Sequence, residues 1–241
     1  MNWTLVYIIS SLLILPLIIY GVFAQANVSG VFNRLSKVSA SNGETASETA
    51  KKMLKMAGIS NVEVVHINGN LSDCYHPKYK VVKLSNSTYS STSIAAIGVC
   101  AHEVGHAIQD AKGSFLFKLR NALVPVCNFI SGAFIPLIFI GSILSFTFYI
   151  ETVGFYICVG SMIAYGSSLL FQIVTLPLEY DASNKALALM KNMNEFSETE
   201  LKQAKQVLTA AIHTYISSML TTLVYFLRFL SYTMIFSRDR D

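Results

Sequence analysis

The chain has 241 residues, of which 53% are hydrophobic and 13% charged, with a formal net charge of +4. That balance lies far from the composition of water-soluble domains and describes a membrane protein. The small basic excess calls for no nucleic-acid partner, and the four cysteines form no CxxC pair that would suggest a zinc ribbon or a disulfide framework.

Four charge-poor runs, Trp3 to Ala26, Asn121 to Ile150, Thr152 to Leu178 and Val207 to Phe236, are each long enough to cross a hydrocarbon core of roughly 30 Å as helix. The first ends in Ala24-Gln25-Ala26, a sequence similar to a signal-peptidase site. Its apolar core is longer than that of a signal peptide and Met1-Asn2-Trp3 carries no basic side chain, so an uncleaved anchor is expected. The expected organisation is a first span over 1–26, a soluble part over 27–120, a transmembrane hairpin over 121–178, a soluble helical segment over 179–206, a last span over 207–236 and a tail over 237–241.

Lysines and arginines gather in 27–120 and 179–206, whereas the turn expected at Glu151-Thr152-Val153-Gly154 has none. By the positive-inside rule both large loops face the cytoplasm, where Cys74 and Cys100 stay reduced. Pro125 and Pro136 predict a bent second span, and Arg228 inside the last one is expected to snorkel or to pair within the bundle.

Within 27–120, "ETASETAKKMLKMA" at 44–57 has apolar residues at helical spacing and Gly58 as its stop. The β-type runs "VEVVHI" at 62–67 and "YKVVKLS" at 79–85 predict a hairpin or small sheet. A helix then starts near Ser90 to Ser93 and runs to Gly113, with Gly98, Ala101 and Gly105 leaving a small face open to another backbone. After the third span, helix is predicted from about Pro177 through Met190. A new one starts near Ser197, with Glu200 completing a capping box.

The central helix contains "AHEVGHAIQD" at 101–110. Residues four apart share a helix face, so His102 and His106 can reach one metal ion. Glu103 is placed beside such an ion to take a proton from a water that zinc activates, as in an HExxH zinc protease. A catalytic zinc wants a third protein ligand, and "AIQDAK" after His106 offers no third histidine. The candidates are Glu179, its neighbour Asp181, and Glu151. Two spans return Glu179 to the side of His106, while Glu151 is expected on the opposite face.

These residues, together with "LSDCYHPKYKVVKLS", "LRNALVPV", "FQIVTLPLEYDASNKAL" and "VLTAAIHTYI", resemble the YugP-like family of neutral zinc metallopeptidases of bacterial membranes over nearly the full length. The resemblance implies a mainly α, polytopic membrane protein with four transmembrane helices and a small α+β cytoplasmic, zincin-like catalytic part. It carries over His102, His106 and Glu179 as ligands of one Zn2+ per chain and Glu103 as general base. It implies an endopeptidase of the bacterial inner membrane, acting at the cytoplasmic face on protein or peptide substrates, membrane proteins among them. In better-studied relatives an Asp follows the ligand Glu by one turn. Here Ser183 stands there, which leaves Asp181 as the substitute.

Further candidates are Asp181, His213 and Tyr215 as supports of the ligands or of the transition state, and Asp73, Cys74 and Tyr75 as a cleft. The competing readings are a turn role for Asp73 and Tyr75, a plain small residue at Cys74, and ordinary interfacial side chains at His213 and Tyr215. For the whole chain, the alternatives are a non-catalytic zinc-binding scaffold or chaperone, and a protease cutting inside the bilayer.

Overall fold

A computed structural model describes residues 2–146 and 151–238. In chain order the elements are α1 (Trp3–Leu35), α2 (Ala46–Met56), β1 (Glu63–His66), β2 (Cys74–His76), β3 (Val81–Leu84), α3 (Ile94–Ala111), α4 (Phe115–Phe146), α5 (Glu151–Met193) and α6 (Glu198–Arg238). They divide into two units. One comprises Met1–Val22, Leu119–Leu176 and Tyr215–Asp241, the other Phe23–Lys118 and Pro177–Thr214.

The first unit holds the apolar stretches. Leu12, Leu15 and Val22 of α1 and Phe129 of α4 are exposed, which water would penalise and a bilayer would not. Hydroxyls bond back along their own helices, Ser161 to the Ile157 carbonyl at 2.8 Å and Thr175 to that of Phe171 at 2.7 Å, so these two groups are satisfied within the helix. The Arg228 guanidinium lies over the Tyr7 ring, 5.5 Å from its centroid, the pairing within the bundle that the sequence offered as one of two solutions.

Three helices among the described residues are long and apolar enough to cross a membrane, α1, α5 and α6, rather than the four expected. The remaining expected span, over 121–150, runs through α4 and past Phe146 into residues outside those described. The turn expected at Glu151 to Gly154 is corrected too: these residues are helical, because α5 opens at Glu151.

The expected boundaries at 26, 178 and 206 fall inside continuous helices. Ala24-Gln25-Ala26 sits within α1, Pro177 within α5, and α6 continues from its N-terminal capping box into its apolar part. Hydropathy marks where a helix changes solvent, whereas backbone hydrogen bonding carries on until a capping residue or an unfavourable φ stops it.

The second unit is built around α3. Thr45 caps α2, its hydroxyl accepting from the Glu48 N–H at 3.3 Å while the Glu48 carboxylate accepts from the Thr45 N–H at 2.9 Å. Gly58, at φ +71°, ends that helix. The sheet order is β1-β3-β2, with β1 parallel and β2 antiparallel to β3. The two runs expected as a hairpin or small sheet lie in a small sheet as parallel neighbours, and the hairpin is β2–β3, since the segment between β1 and β3 crosses over and returns as an extra strand.

Met53 of α2, Leu84 of β3, Ile94 and Ile97 of α3, Leu178 and Met190 of α5 and Ala204 of α6 meet in one buried core. The small face of α3 does what its composition predicts. A Cβ on Gly98 would stand 3.6 Å from that of Ala204, ordinary van der Waals contact, so α6 packs closely there.

Candidate metal centre

Ser93 caps α3, its hydroxyl accepting from the Ala96 N–H, and the helix runs unbroken to Ala111. One turn separates His102 from His106, and their rings meet edge to face with centroids 4.7 Å apart. Glu179 comes from α5, beyond the apolar stretch of that helix and in the same unit as α3. Its Oε2 lies 3.0 Å from His102 Nε2 and 3.4 Å from His106 Nε2.

Glu179 is 1% exposed and His106 6%. Burial alone would push the Glu179 carboxyl up, but hydrogen bonds from the two imidazoles outweigh it and hold the group far below the usual carboxylate range. Burial likewise pulls His106 down, and Glu179 more than reverses it, raising the imidazole above its ordinary value.

Among the described residues, His102, His106 and Glu179 form the group that could hold a metal ion, their ligand atoms all lying within 4.8 Å of one another. Two imidazole nitrogens and one carboxylate oxygen are a donor set suited to zinc with a position left open. The residues present therefore fit that ion. Asp181 does not join the group, and Glu151 belongs to the other unit.

The far sides of both rings are also engaged. His106 Nδ1 lies 2.9 Å from Gln109 Oε1, and Gln109 Nε2 donates to the Leu178 carbonyl at 2.8 Å and to Asp181 Oδ2 at 2.7 Å. Asp181 is paired in turn with Lys185. His102 Nδ1 lies 3.2 Å from the Oγ of Ser183, the residue one turn after Glu179. Asp181 does not replace Ser183 at His102; it acts on the other histidine through Gln109. Sequence reasoning passed over Gln109, although a carboxamide three residues after His106 in an otherwise apolar helix was a signal.

Glu103 is nearly buried, and its Oε2 accepts the backbone N–H of Tyr75 at 2.7 Å. The phenol of Tyr75 donates to Asp110 Oδ2 at 2.7 Å, which also pairs with Lys80 at 2.6 Å. Burial first, then Asp110, raises the phenol's pKa and keeps it protonated. Phe117 closes the arrangement, its ring centroid 6.1 Å from those of both Tyr75 and His106. Tyr75 thus touches the general-base candidate through its backbone, a link no side-chain pattern announces.

Asp73 turns the other way. It accepts from the Ser85 N–H at 2.7 Å, the Ser85 hydroxyl at 3.0 Å and the Thr88 hydroxyl at 3.1 Å, which ties the approach to β2 to the segment before α3. Cys74 is exposed and pairs in register with Lys83. Partial burial and then the charge of Glu103 push its thiol up, away from thiolate. His213 lines a groove with Asn27, Val31, Lys202 and Lys205, and Tyr215 belongs to the unit of apolar stretches. Neither is part of the group that could hold an ion.

Comparison with known proteins agrees with this geometry. Residues 10–234 match the family model described as "Putative neutral zinc metallopeptidase". The chain is 37% identical over 219 residues to "Putative membrane protease YugP" of Bacillus subtilis (strain 168), covering 91% of this chain and 92% of that protein. No solved structure matches. With a family match over most of the chain and a relative aligned nearly end to end, the chain belongs to this neutral zinc metallopeptidase family.

Proposed function

We propose that this protein is a membrane-embedded zinc endopeptidase that hydrolyses peptide bonds at the cytoplasmic face of a bacterial cell membrane. The observation that carries the reading is the convergence of half-buried His102 with buried His106 and Glu179, with Glu103 on the adjoining helix position. Those three residues would hold one zinc ion per chain. Bound there, zinc supplies Lewis acidity toward a carbonyl and lowers the pKa of water.

The chain's own residues do the rest. Glu103 accepts the proton of the attacking water and passes it to the leaving amide nitrogen, which is general base and then general acid catalysis by one carboxylate. The Tyr75 N–H holds that carboxylate in place, and Asp110 with Lys80 anchors Tyr75. Phe117 and the small residues of α3 keep the surroundings apolar, which strengthens every charge interaction at the centre.

The cytoplasmic placement is supported by the Lys- and Arg-rich loops that carry the site residues. The substrates proposed are proteins or peptides, membrane proteins among them, in keeping with the apolar helices of the same chain. The test is metal content of the purified full-length chain alongside proteolysis. We expect close to one zinc per chain, lost together with activity in Glu179→Ala. A wild type that binds no divalent metal, or a Glu179→Ala that keeps both properties, would overturn the reading.

A further inference from the structure

Gln109 is 1% exposed, and each polar atom of its carboxamide has a partner. The Leu178 carbonyl and the Asp181 carboxylate can only accept, so both must face the Gln109 NH2 group. That leaves the carboxamide oxygen toward His106 Nδ1. A carboxamide oxygen can only accept, so Nδ1 carries the hydrogen and the lone pair of the neutral ring sits on Nε2, the nitrogen directed at Glu179. Lys185 donates to both oxygens of the Asp181 carboxylate.

Resting on the zinc reading above, we infer that Gln109 is a positioning residue for the metal. The relay from Lys185 through Asp181 and Gln109 selects the His106 tautomer and ring orientation that can bind zinc. It also spans two helices. His106 and Gln109 belong to α3, whereas Leu178, Asp181 and Lys185 belong to α5 and flank the third ligand. The same bonds that orient one ligand therefore hold in register the helix that supplies another. Groups of this kind beyond the ligands are worth about 10- to 100-fold in metal affinity.

The experiment measures zinc affinity of the full-length chain in lipid nanodiscs by competition with a chelating dye, with thermal unfolding of the metal-free protein beside it. Gln109→Met keeps the volume and removes the relay, and its zinc affinity should fall about 10- to 100-fold. Gln109→Glu alone sets lone pairs against Asp181 and the Leu178 carbonyl, so it should weaken zinc as well. Adding Asp181→Asn exchanges donor and acceptor between the two side chains and keeps an acceptor on His106 Nδ1, so it should recover part of the affinity, the Leu178 carbonyl alone still facing a carboxylate oxygen. Repacking alone predicts no such restoration.

Unchanged affinity in Gln109→Met, or a double variant no better than Gln109→Glu, would overturn the relay. Should Gln109→Met fail to fold, the exchange pair decides. A wild type without zinc would overturn the metallopeptidase reading and the relay together. Tight zinc binding with the expected losses but no proteolysis would support the relay and remove only the catalytic activity.

Discussion

A Cβ placed on Gly105 would come within 2.5 Å of the Ala182 carbonyl oxygen and 3.1 Å of its carbonyl carbon. The obstacle is backbone, which cannot swing aside like the end of a flexible side chain. Gly105 lies one residue before His106, and Ala182 lies three after Glu179, so this contact sets how closely the two parts of the centre approach.

Gly105→Ala is therefore expected to destabilise the protein even though alanine favours helix by about 1 kcal/mol. Overpacking against a fixed backbone costs about 1–3 kcal/mol and should win. The melting temperature should drop, and zinc should bind more weakly as α3 and α5 separate. A melting temperature above that of the wild type would refute the packing argument.

Glu103→Gln keeps a side-chain oxygen able to accept the Tyr75 N–H and leaves the ligand group untouched. Fold and zinc content should persist, while proteolysis falls about 10²- to 10⁴-fold, the range for losing a positioned general base. Single-turnover cleavage of an unfolded protein substrate by the metal-replete variant is the measurement, and full activity would remove Glu103 from the mechanism.

Chelation should lower the melting temperature and zinc should restore it. A ligand that binds the folded chain at about 100 times its Kd contributes about 2.7 kcal/mol. Without a cation, two imidazoles and a carboxylate must share protons in a buried cluster, which zinc relieves. The effect should be absent in His106→Ala, and an identical shift in that variant would mean that zinc acts elsewhere.

Glu200 ties the segment after α1 to the start of α6. Its carboxylate accepts from the Ser41 N–H at 2.6 Å and the Ser41 hydroxyl at 2.9 Å, and from the Ser197 N–H at 2.7 Å and hydroxyl at 2.8 Å. Burial pushes the group up, but these bonds outweigh it and hold its pKa below the ordinary value. A depressed folded-state pKa contributes stability that is present above the unfolded carboxylate pKa and lost as pH falls through the folded one. Wild-type stability should thus decline below about pH 4.3 through this group. Glu200→Gln should cost about 0.5–2 kcal/mol at neutral pH, as capping losses do, and flatten the decline. Parallel pH curves for the two proteins would contradict the assignment.

Much of this protein was legible in its sequence because the relevant signals are local. The helical period alone put His102 and His106 on one face, and the run of serines before Ile94 located the start of α3. Hydropathy marked the apolar helices α1, α5 and α6, and the expected meeting of Glu179 with His106 agrees with their placement in one unit. The span count and the turn near Glu151 were less secure, because apolar composition has no sharp edge at a helix end.

What tertiary structure decided is non-local. The parallel pairing of β1 with β3 depends on where the crossover returns, which no residue within either strand records. Which polar atom meets each imidazole Nδ1 depends on how α5 is rotated and how near it comes, and that approach is set by backbone contact at Gly105. Sequence by itself determined the types of the candidate ligands and the helical spacing of His102 and His106. Only the packing of α5 on α3 decided that Gln109 and Ser183 would orient them, because hydrogen bonds act over about 3 Å and helix periodicity does not specify a neighbour's position to that precision.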